Sequence, residues 1–328
     1  MKKKVLVTRE VFDETIDFLK SHFEVESNQA DRLYARDELI AKLQGKVGVQ
    51  TSSSDRIDAE LLDKCPNIQA VCNTAVGYNN IDLDACTRHG LMVTNTPGVL
   101  TDSVADYSIG LIIATCRRMT EGEAYLRKGA WKGSFLKQML GQDVHGATLG
   151  IFGFGRIGQA IARRARGFDM EILYHSRNRA AVDSERESGA VYTGKEELLR
   201  RADVVLLILP FTPETQHFIG HKELALMKST AVLINMARGG IVDDDALIEA
   251  LKKKSIWAAG LDVYENEPRL NPGFLELGNV VLSPHIASAS EPTRKAMAMT
   301  AAKNLVAALS GQAPPNLLNP DYLKYSKA

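Results

Sequence analysis

Cysteine is scarce: Cys65, Cys72, Cys86 and Cys116 are the only four in 328 residues. They form no C-x-x-C pair and sit among apolar neighbours, so they read as reduced core residues rather than a disulfide framework. No metal is expected. Net charge is missing too, since 40 Lys and Arg balance 40 Asp and Glu. Nucleic acid and anionic membranes attract proteins with a basic excess, so neither is an expected partner. The longest apolar run, Ile109 to Ala114, falls well short of the roughly 20 residues that span a bilayer. Lys2, Lys3 and Lys4 look like the start of a signal peptide, but Val5-Leu6-Val7 stops at Thr8-Arg9-Glu10, too short for its apolar region. A cytoplasmic protein is expected. What remains is ordinary globular composition, 45% hydrophobic and 24% charged, enough for a full core and unlike a disordered chain. At about 150 residues per domain the length suggests two domains.

Short apolar runs alternate with helical patterns along most of the chain. Lys4–Val7, 47–50, 68–72 and 91–94 read as buried strands, with helical stretches near Glu10–Ser21, Ala59–Leu62 and Leu83–Cys86. Alternation at this spacing predicts an α/β fold whose parallel sheet has helices on both faces. Asn95-Thr96-Pro97-Gly98 breaks the pattern. A longer helix follows, with Thr101 as N-cap and Asp102 in its first turn, and Ile109, Ile112, Ile113 and Cys116 on one face. A domain boundary is placed just before it, giving a first domain over 1–99. A second β/α series starts at Thr148, with strands at 148–152, 171–175, 203–209, 231–236, 257–262 and 279–283. Helices are expected at Asp244–Lys253 and Glu291–Leu309.

Strand 148–152 runs into Gly153-Phe154-Gly155-Arg156-Ile157-Gly158 and then into helix. G-x-G-x-x-G alone is a weak signal, but after a strand and opening a helix it reads as a dinucleotide site. Gly153 permits the tight turn, Gly155 lets a pyrophosphate approach the backbone, and Gly158 allows close helix–strand packing. The amides at the helix start, from Arg156 and Ile157 onward, then face the phosphates. An NAD site usually places an Asp or Glu about 20 residues further on. Here no carboxylate lies from Ile172 to Val182, and the second strand ends in His175-Ser176-Arg177-Asn178-Arg179. Ser176, Arg177 and Arg179 suit a 2′-phosphate. NADP(H) is therefore expected ahead of NAD(H).

Three further segments end predicted strands, where ligands collect in open α/β sheets: Asn235–Gly240 with Arg238, Asp262–Pro268 with Glu267, and Ser283–Ser288 with His285. Singly, each has a bland explanation as a surface ion pair, a turn residue or a core histidine. Together behind a nucleotide fingerprint they supply what carbonyl reduction needs. A protonated imidazole delivers a proton to oxygen, a carboxylate orients it, and a guanidinium holds a substrate carboxylate or polarises the carbonyl.

These four motifs, in this order, resemble those of the D-isomer-specific 2-hydroxyacid dehydrogenase family from Val5 to Pro320. The resemblance implies two doubly wound domains: a flavodoxin-like substrate domain (1–99) and a Rossmann coenzyme domain (100–284). Segment 285–328 would return to the substrate domain, and the active site would lie in the cleft. It also implies Arg238 as the substrate-orienting arginine, Glu267 as the carboxylate paired with histidine, and His285 as acid/base. Thr101 and Asp262 would then lie at the nicotinamide side, Pro210 and Thr215 at the adenosine side, Met236, Ala237 and Ala287 elsewhere against the coenzyme, and Ser288 at the substrate. Thr74–Asp82 is similar to the family loop whose Val76 and Gly77 amides hold the substrate carboxylate; Asn79 stands where an aspartate is more usual. Ser103–Asp106, Gly141–His145, Asn316–Pro320 and the arginines after the second strand are similar to the bacterial glyoxylate/hydroxypyruvate reductase branch, also called 2-ketogluconate reductases.

The implied reaction is NADPH-preferring reduction of glyoxylate, hydroxypyruvate or 2-ketogluconate to a D-2-hydroxy acid. The apolar segment Thr120–Gly146, with Tyr125, Trp131, Phe135, Leu136, Met139 and Leu140, implies a homodimer by the same resemblance. The alternatives are a phosphoglycerate or formate dehydrogenase and, from another class, a nicotinamide-sensing co-repressor or scaffold.

Overall fold

Every pairing between strands in the computed structural model, which describes residues 1–325, is parallel, and among the isolated bridges of those residues Thr94 with Leu317 is antiparallel. The chain divides into two units, one formed by Met1–Leu100 with the segment from Ser290 onward, the other by Thr101–Ala289.

The first unit contains β1 (Lys4–Val7), α1 (Asp13–His22), β2 (Glu24–Ser27), α2 (Arg36–Leu43), β3 (Gly48–Thr51), α3 (Ala59–Lys64), β4 (Ala70–Asn73), α4 (Leu83–Arg88) and β5 (Met92–Thr94). Its five strands lie in the order β2-β1-β3-β4-β5, a flavodoxin-like winding. The period of two along β1 sends its side chains to both faces. Val5 and Val7 pack with Ile16, Leu19 and Phe23 of the α1 region and with Leu305 and Leu309 of the C-terminal helix. Leu6 points the other way, into Leu39, Leu43, Leu61 and Leu62.

The second unit holds α5 (Thr101–Cys116), α6 (Met119–Arg127), β6 (Thr148–Phe152), α7 (Arg156–Ala165), β7 (Glu171–His175), α8 (Val182–Ser188), β8 (Ala190–Tyr192), α9 (Lys195–Arg201), β9 (Val204–Leu207), α10 (His221–Leu224), β10 (Val232–Asn235), α11 (Asp244–Lys253), β11 (Ala258–Leu261) and β12 (Val280–Leu282). Helix α12 (Glu291–Leu309) belongs to the first unit. The strand order is β12-β11-β10-β9-β6-β7-β8. From β6 the chain builds outward to β8, then crosses back to β9 and builds the other way. The winding reverses between β6 and β9, where such sheets open a crevice at the carboxyl ends of their strands.

Three details depart from the sequence reading. Thr101 is the first helical residue of α5 rather than its cap, a shift within the usual uncertainty of helix ends. The edge strands β2 and β8 carry too little apolar pattern to be read from the sequence. And residues 285–289 stay with the second unit instead of leaving it after 284, because Asp262 accepts hydrogen bonds from the Ile286 and Ala287 amides. Among the described residues no helix is long and apolar enough to cross a membrane.

Candidate active site

At the β6–α7 turn the three glycines have different surroundings. Gly153 has φ +97°, and a β-carbon there would lie 2.6 Å from the Ile208 carbonyl oxygen. A β-carbon on Gly158 would lie 2.2 Å from the Gly153 carbonyl oxygen. Around Gly155 nothing lies within 4 Å of that position. Two glycines thus let the chain pack on itself, while the middle one borders open space that a ligand backbone can fill. Gly155 also offers α7 no capping side chain, and the first turn of α7 has no acid. Aspartates cap α3, α4 and α11 instead. The amides of Arg156, Ile157 and Gly158 therefore retain the positive end of the helix for an anion. These features fit a dinucleotide pyrophosphate.

Beyond β7 the Ser176 hydroxyl donates to the Asn178 carbonyl at 2.6 Å, which closes the turn. Arg179 forms a two-pronged pair with Glu185, Nε and Nη2 each 2.8 Å from a carboxylate oxygen. That guanidinium and the Tyr174 hydroxyl hold the Glu185 carboxyl well down, at about 2. Arg177 is exposed and makes none of the ion pairs found among the described residues. Thr215 spends its hydroxyl inside the 210–215 loop, donating to the Pro210 carbonyl at 2.8 Å and accepting from the Thr212 amide at 2.7 Å.

At the other strand ends Arg238, Glu267 and His285 come together through backbone contacts. Asn235, the last residue of β10, accepts from the Ala237 amide and donates to the Arg238 carbonyl. This folds the turn after Met236 and Ala237, both buried. A β-carbon on Gly239 would lie only 1.7 Å from the Tyr264 carbonyl oxygen, so the Arg238 turn and the 262–267 loop run backbone against backbone. Glu267 accepts from the Tyr264 amide at 2.9 Å through Oε1 and contacts His285 Nδ1 at 2.8 Å through Oε2. Burial pushes the Glu267 carboxyl up, but the His285 hydrogen bond and charge, the Tyr264 amide and the Arg238 charge outweigh it and hold it below the ordinary value. Burial in turn lowers the half-buried Arg238 guanidinium, with Glu267 opposing. With Nδ1–H directed at the carboxylate, Nε2 is the ring nitrogen left for proton exchange. His285 and Glu267 keep 37% and 34% of their side-chain surface exposed, so a substrate can reach them.

His285 has φ +54°, a left-handed conformation that costs a non-glycine residue roughly 1–3 kcal/mol. Asp262 offsets that cost. Its carboxylate is buried and accepts from Ser283 Oγ at 2.7 Å, the Ile286 amide at 2.9 Å and the Ala287 amide at 3.0 Å, charge-assisted bonds worth about 1.5–3 kcal/mol each. Tyr264 braces the same turn: its hydroxyl accepts from the Ser283 amide and lies 2.9 Å from the Ser283 carbonyl. Sequence reading missed Tyr264, since a lone tyrosine carries no signal of such a role. Ser288 lies half-buried on the same turn, without a described hydrogen bond.

In the first unit, loop 74–78 follows β4. The Val76 and Gly77 amides find no acceptor among the described residues, which leaves both donors available.

Fold and site together define a nicotinamide-nucleotide-dependent oxidoreductase. The family model for the D-isomer specific 2-hydroxyacid dehydrogenase NAD binding domain matches residues 109–287. A glyoxylate reductase of Thermococcus kodakarensis is 48% identical, covering 100% of this chain and 99% of its own. Among solved structures, a Thermus thermophilus protein superposes with TM-score 0.89 at 41% identity, covering 96% of this chain and 99% of its own. An NADPH-dependent glyoxylate/hydroxypyruvate reductase of Sinorhizobium meliloti, solved with NADP and malonate, superposes with TM-score 0.86 at 34% identity over 100% of both chains. The chain belongs to the D-isomer-specific 2-hydroxyacid dehydrogenase family.

Proposed function

We propose that this chain reduces small 2-keto acids, glyoxylate and hydroxypyruvate first and 2-ketogluconate as a larger relative, to D-2-hydroxy acids with NADPH preferred to NADH. The observation that carries the reading is the 2.8 Å contact between His285 and Glu267, on the same sheet as the glycine turn. The glyoxylate reductase name of the 48% identical relative favours glyoxylate. The absence of a carboxylate after β7, with Arg177 exposed there, favours a 2′-phosphate. So does the likeness to the Sinorhizobium enzyme, which is named NADPH-dependent.

When bound, the reduced dinucleotide supplies the hydride that the keto carbon accepts. Gly153, Gly155, Arg156, Ile157 and Gly158 would hold its pyrophosphate, Ser176 and Arg177 its 2′-phosphate, and Pro210 and Thr215 its adenosine side. Thr101 and Asp262 would line its nicotinamide side, and Met236, Ala237 and Ala287 would also contact the coenzyme. Arg179, whose charge is offset by Glu185, would be the weaker contributor at the 2′-phosphate. On the substrate, the Val76 and Gly77 amides and the Arg238 guanidinium bind the carboxylate, with Ser288 nearby. His285 gives its Nε2 proton to the keto oxygen as negative charge develops there. Glu267 keeps the ring oriented through its 2.8 Å contact with Nδ1. The exposed Leu126, Trp131, Phe135, Leu136 and Leu140 support a homodimer through the segment Thr120–Gly146, because several large apolar side chains left in solvent mark an interaction surface.

A panel of keto acids assayed with NADPH and with NADH tests the proposal, alongside His285→Ala. Turnover of glyoxylate or hydroxypyruvate is expected, with His285→Ala losing at least about a hundredfold in kcat while binding NADPH as before. Failure of every keto acid with both coenzymes, or near-normal turnover by His285→Ala, overturns it.

A further inference from the structure

The carbonyls of loop 74–78 are held from behind by two buried asparagines. Asn95 Nδ2 donates to the Val76 carbonyl at 2.8 Å, and Asn73 Nδ2 donates to the Gly77 carbonyl at 2.9 Å. The preceding carbonyl, of Ala75, accepts from the Thr96 amide at 3.0 Å. In a planar trans peptide the C=O of one residue and the N–H of the next point in opposite directions. Anchoring three successive carbonyls therefore turns the Val76, Gly77 and Tyr78 amides away from their anchors. None of these three amides meets an acceptor among the described residues. Val76 and Gly77 are half-buried and Tyr78 is exposed, so these donors are open to a ligand, and successive free amides are a recurring means of binding anions.

The asparagines are built to hold this arrangement. Asn73 ends β4 with no exposed surface and Asn95 follows β5 at 7% exposure. The Asn95 carbonyl accepts from Asn304 Nδ2 at 3.0 Å, and Asn304 Oδ1 accepts from Asn316 Nδ2 at 3.2 Å. Asn73 Oδ1 has no partner among the described residues. A leucine at either position would avoid burying polar atoms, but could not grip a carbonyl.

We propose that Asn73 and Asn95 are positioning residues for substrate recognition: by clamping the Gly77 and Val76 carbonyls they aim consecutive amides, including that of Tyr78, at the substrate carboxylate. This rests on the 2-keto acid reading above and adds to it the residues that set the loop and a third donor. Asn95→Asp and Asn73→Asp keep side-chain shape but exchange the NH2 donor for an acceptor facing a carbonyl. Each is expected to raise KM for glyoxylate at least about tenfold, with kcat changed less than about threefold and NADPH affinity within about twofold of wild type, the pattern of lost substrate binding rather than lost structure. Hydrogen exchange on the unmutated enzyme, with NADP bound, provides a readout that needs no variant: saturating oxalate should slow exchange in a peptide covering 75–79. If wild type turns over keto acids but both variants keep KM within about twofold, or oxalate leaves that peptide unprotected, the positioning role is wrong while the reductase reading stands. If wild type turns over no keto acid, the reading beneath it is what has failed.

Discussion

Gly239 and Tyr264 meet backbone to backbone so closely that a methyl group on Gly239 would fall 1.7 Å from the Tyr264 carbonyl oxygen. This contact joins the turn carrying Arg238 to the loop carrying Glu267. Neither backbone can yield cheaply, since Asn235 ties one side and the Tyr264 hydroxyl the other. Gly239→Ala should therefore displace Arg238 relative to Glu267. The expected result is a loss of about 2 kcal/mol or more in stability and at least a tenfold fall in kcat/KM. Unchanged melting and unchanged kinetics in the purified variant would show that the two loops are not locked together as described.

The glycines of the β6–α7 turn separate stability from coenzyme binding. A methyl on Gly155 meets no protein atom within 4 Å, whereas one on Gly158 meets the Gly153 carbonyl at 2.2 Å. Gly155→Ala should melt like wild type yet bind coenzyme at least about tenfold more weakly in a fluorescence titration, because the methyl occupies the approach to the phosphates. Gly158→Ala should lose several degrees of Tm. The opposite pattern would reverse the roles of the two glycines.

The same turn shows how much is legible in the sequence. G-x-G-x-x-G, the missing carboxylate after β7 and the Arg, Glu and His at three strand ends are local in sequence, and each sits where the alternating β/α pattern puts it. Edge strand β2 is illegible because Glu24-Val25-Glu26-Ser27 alternates only weakly and is half exposed. Tyr264 escapes notice for a different reason: its hydroxyl acts on Ser283, nineteen residues away, and nothing local marks that partnership. Arg177 and Arg179 look equivalent on paper, and only the fold shows Glu185 occupying one of them.

That distinction is testable. Arg179 already has a carboxylate partner, so Arg177 is the arginine available to a 2′-phosphate. Arg177→Ala should weaken NADPH at least about tenfold while changing NADH less than about twofold, consistent with loss of a charge-assisted phosphate contact. Arg179→Ala should have the smaller effect on NADPH. Equal losses for both coenzymes in direct binding measurements would remove the case for NADPH preference at this position.

Asp244, at the start of α11, couples stability to pH beneath the loop that carries Glu267. Burial, then the Glu265 charge, raises its carboxyl from 3.8 to about 6, with the Glu265 amide opposing and Asp243 and Asp245 adding to the rise; Oδ2 has no hydrogen-bond partner among the described residues. The folded protein thus holds this proton more tightly than the unfolded chain. The favourable contribution is complete below about pH 4 and is lost as pH rises through about 6. At roughly 1.4 kcal/mol per pKa unit, the penalty above pH 6 is about 3 kcal/mol at most. Asp244→Asn, which cannot ionise, should therefore raise Tm by several degrees at about pH 8 and by little at about pH 4. Melting curves showing the same difference at both pH values would mean that this carboxylate is not forced to ionise in a buried, acidic setting.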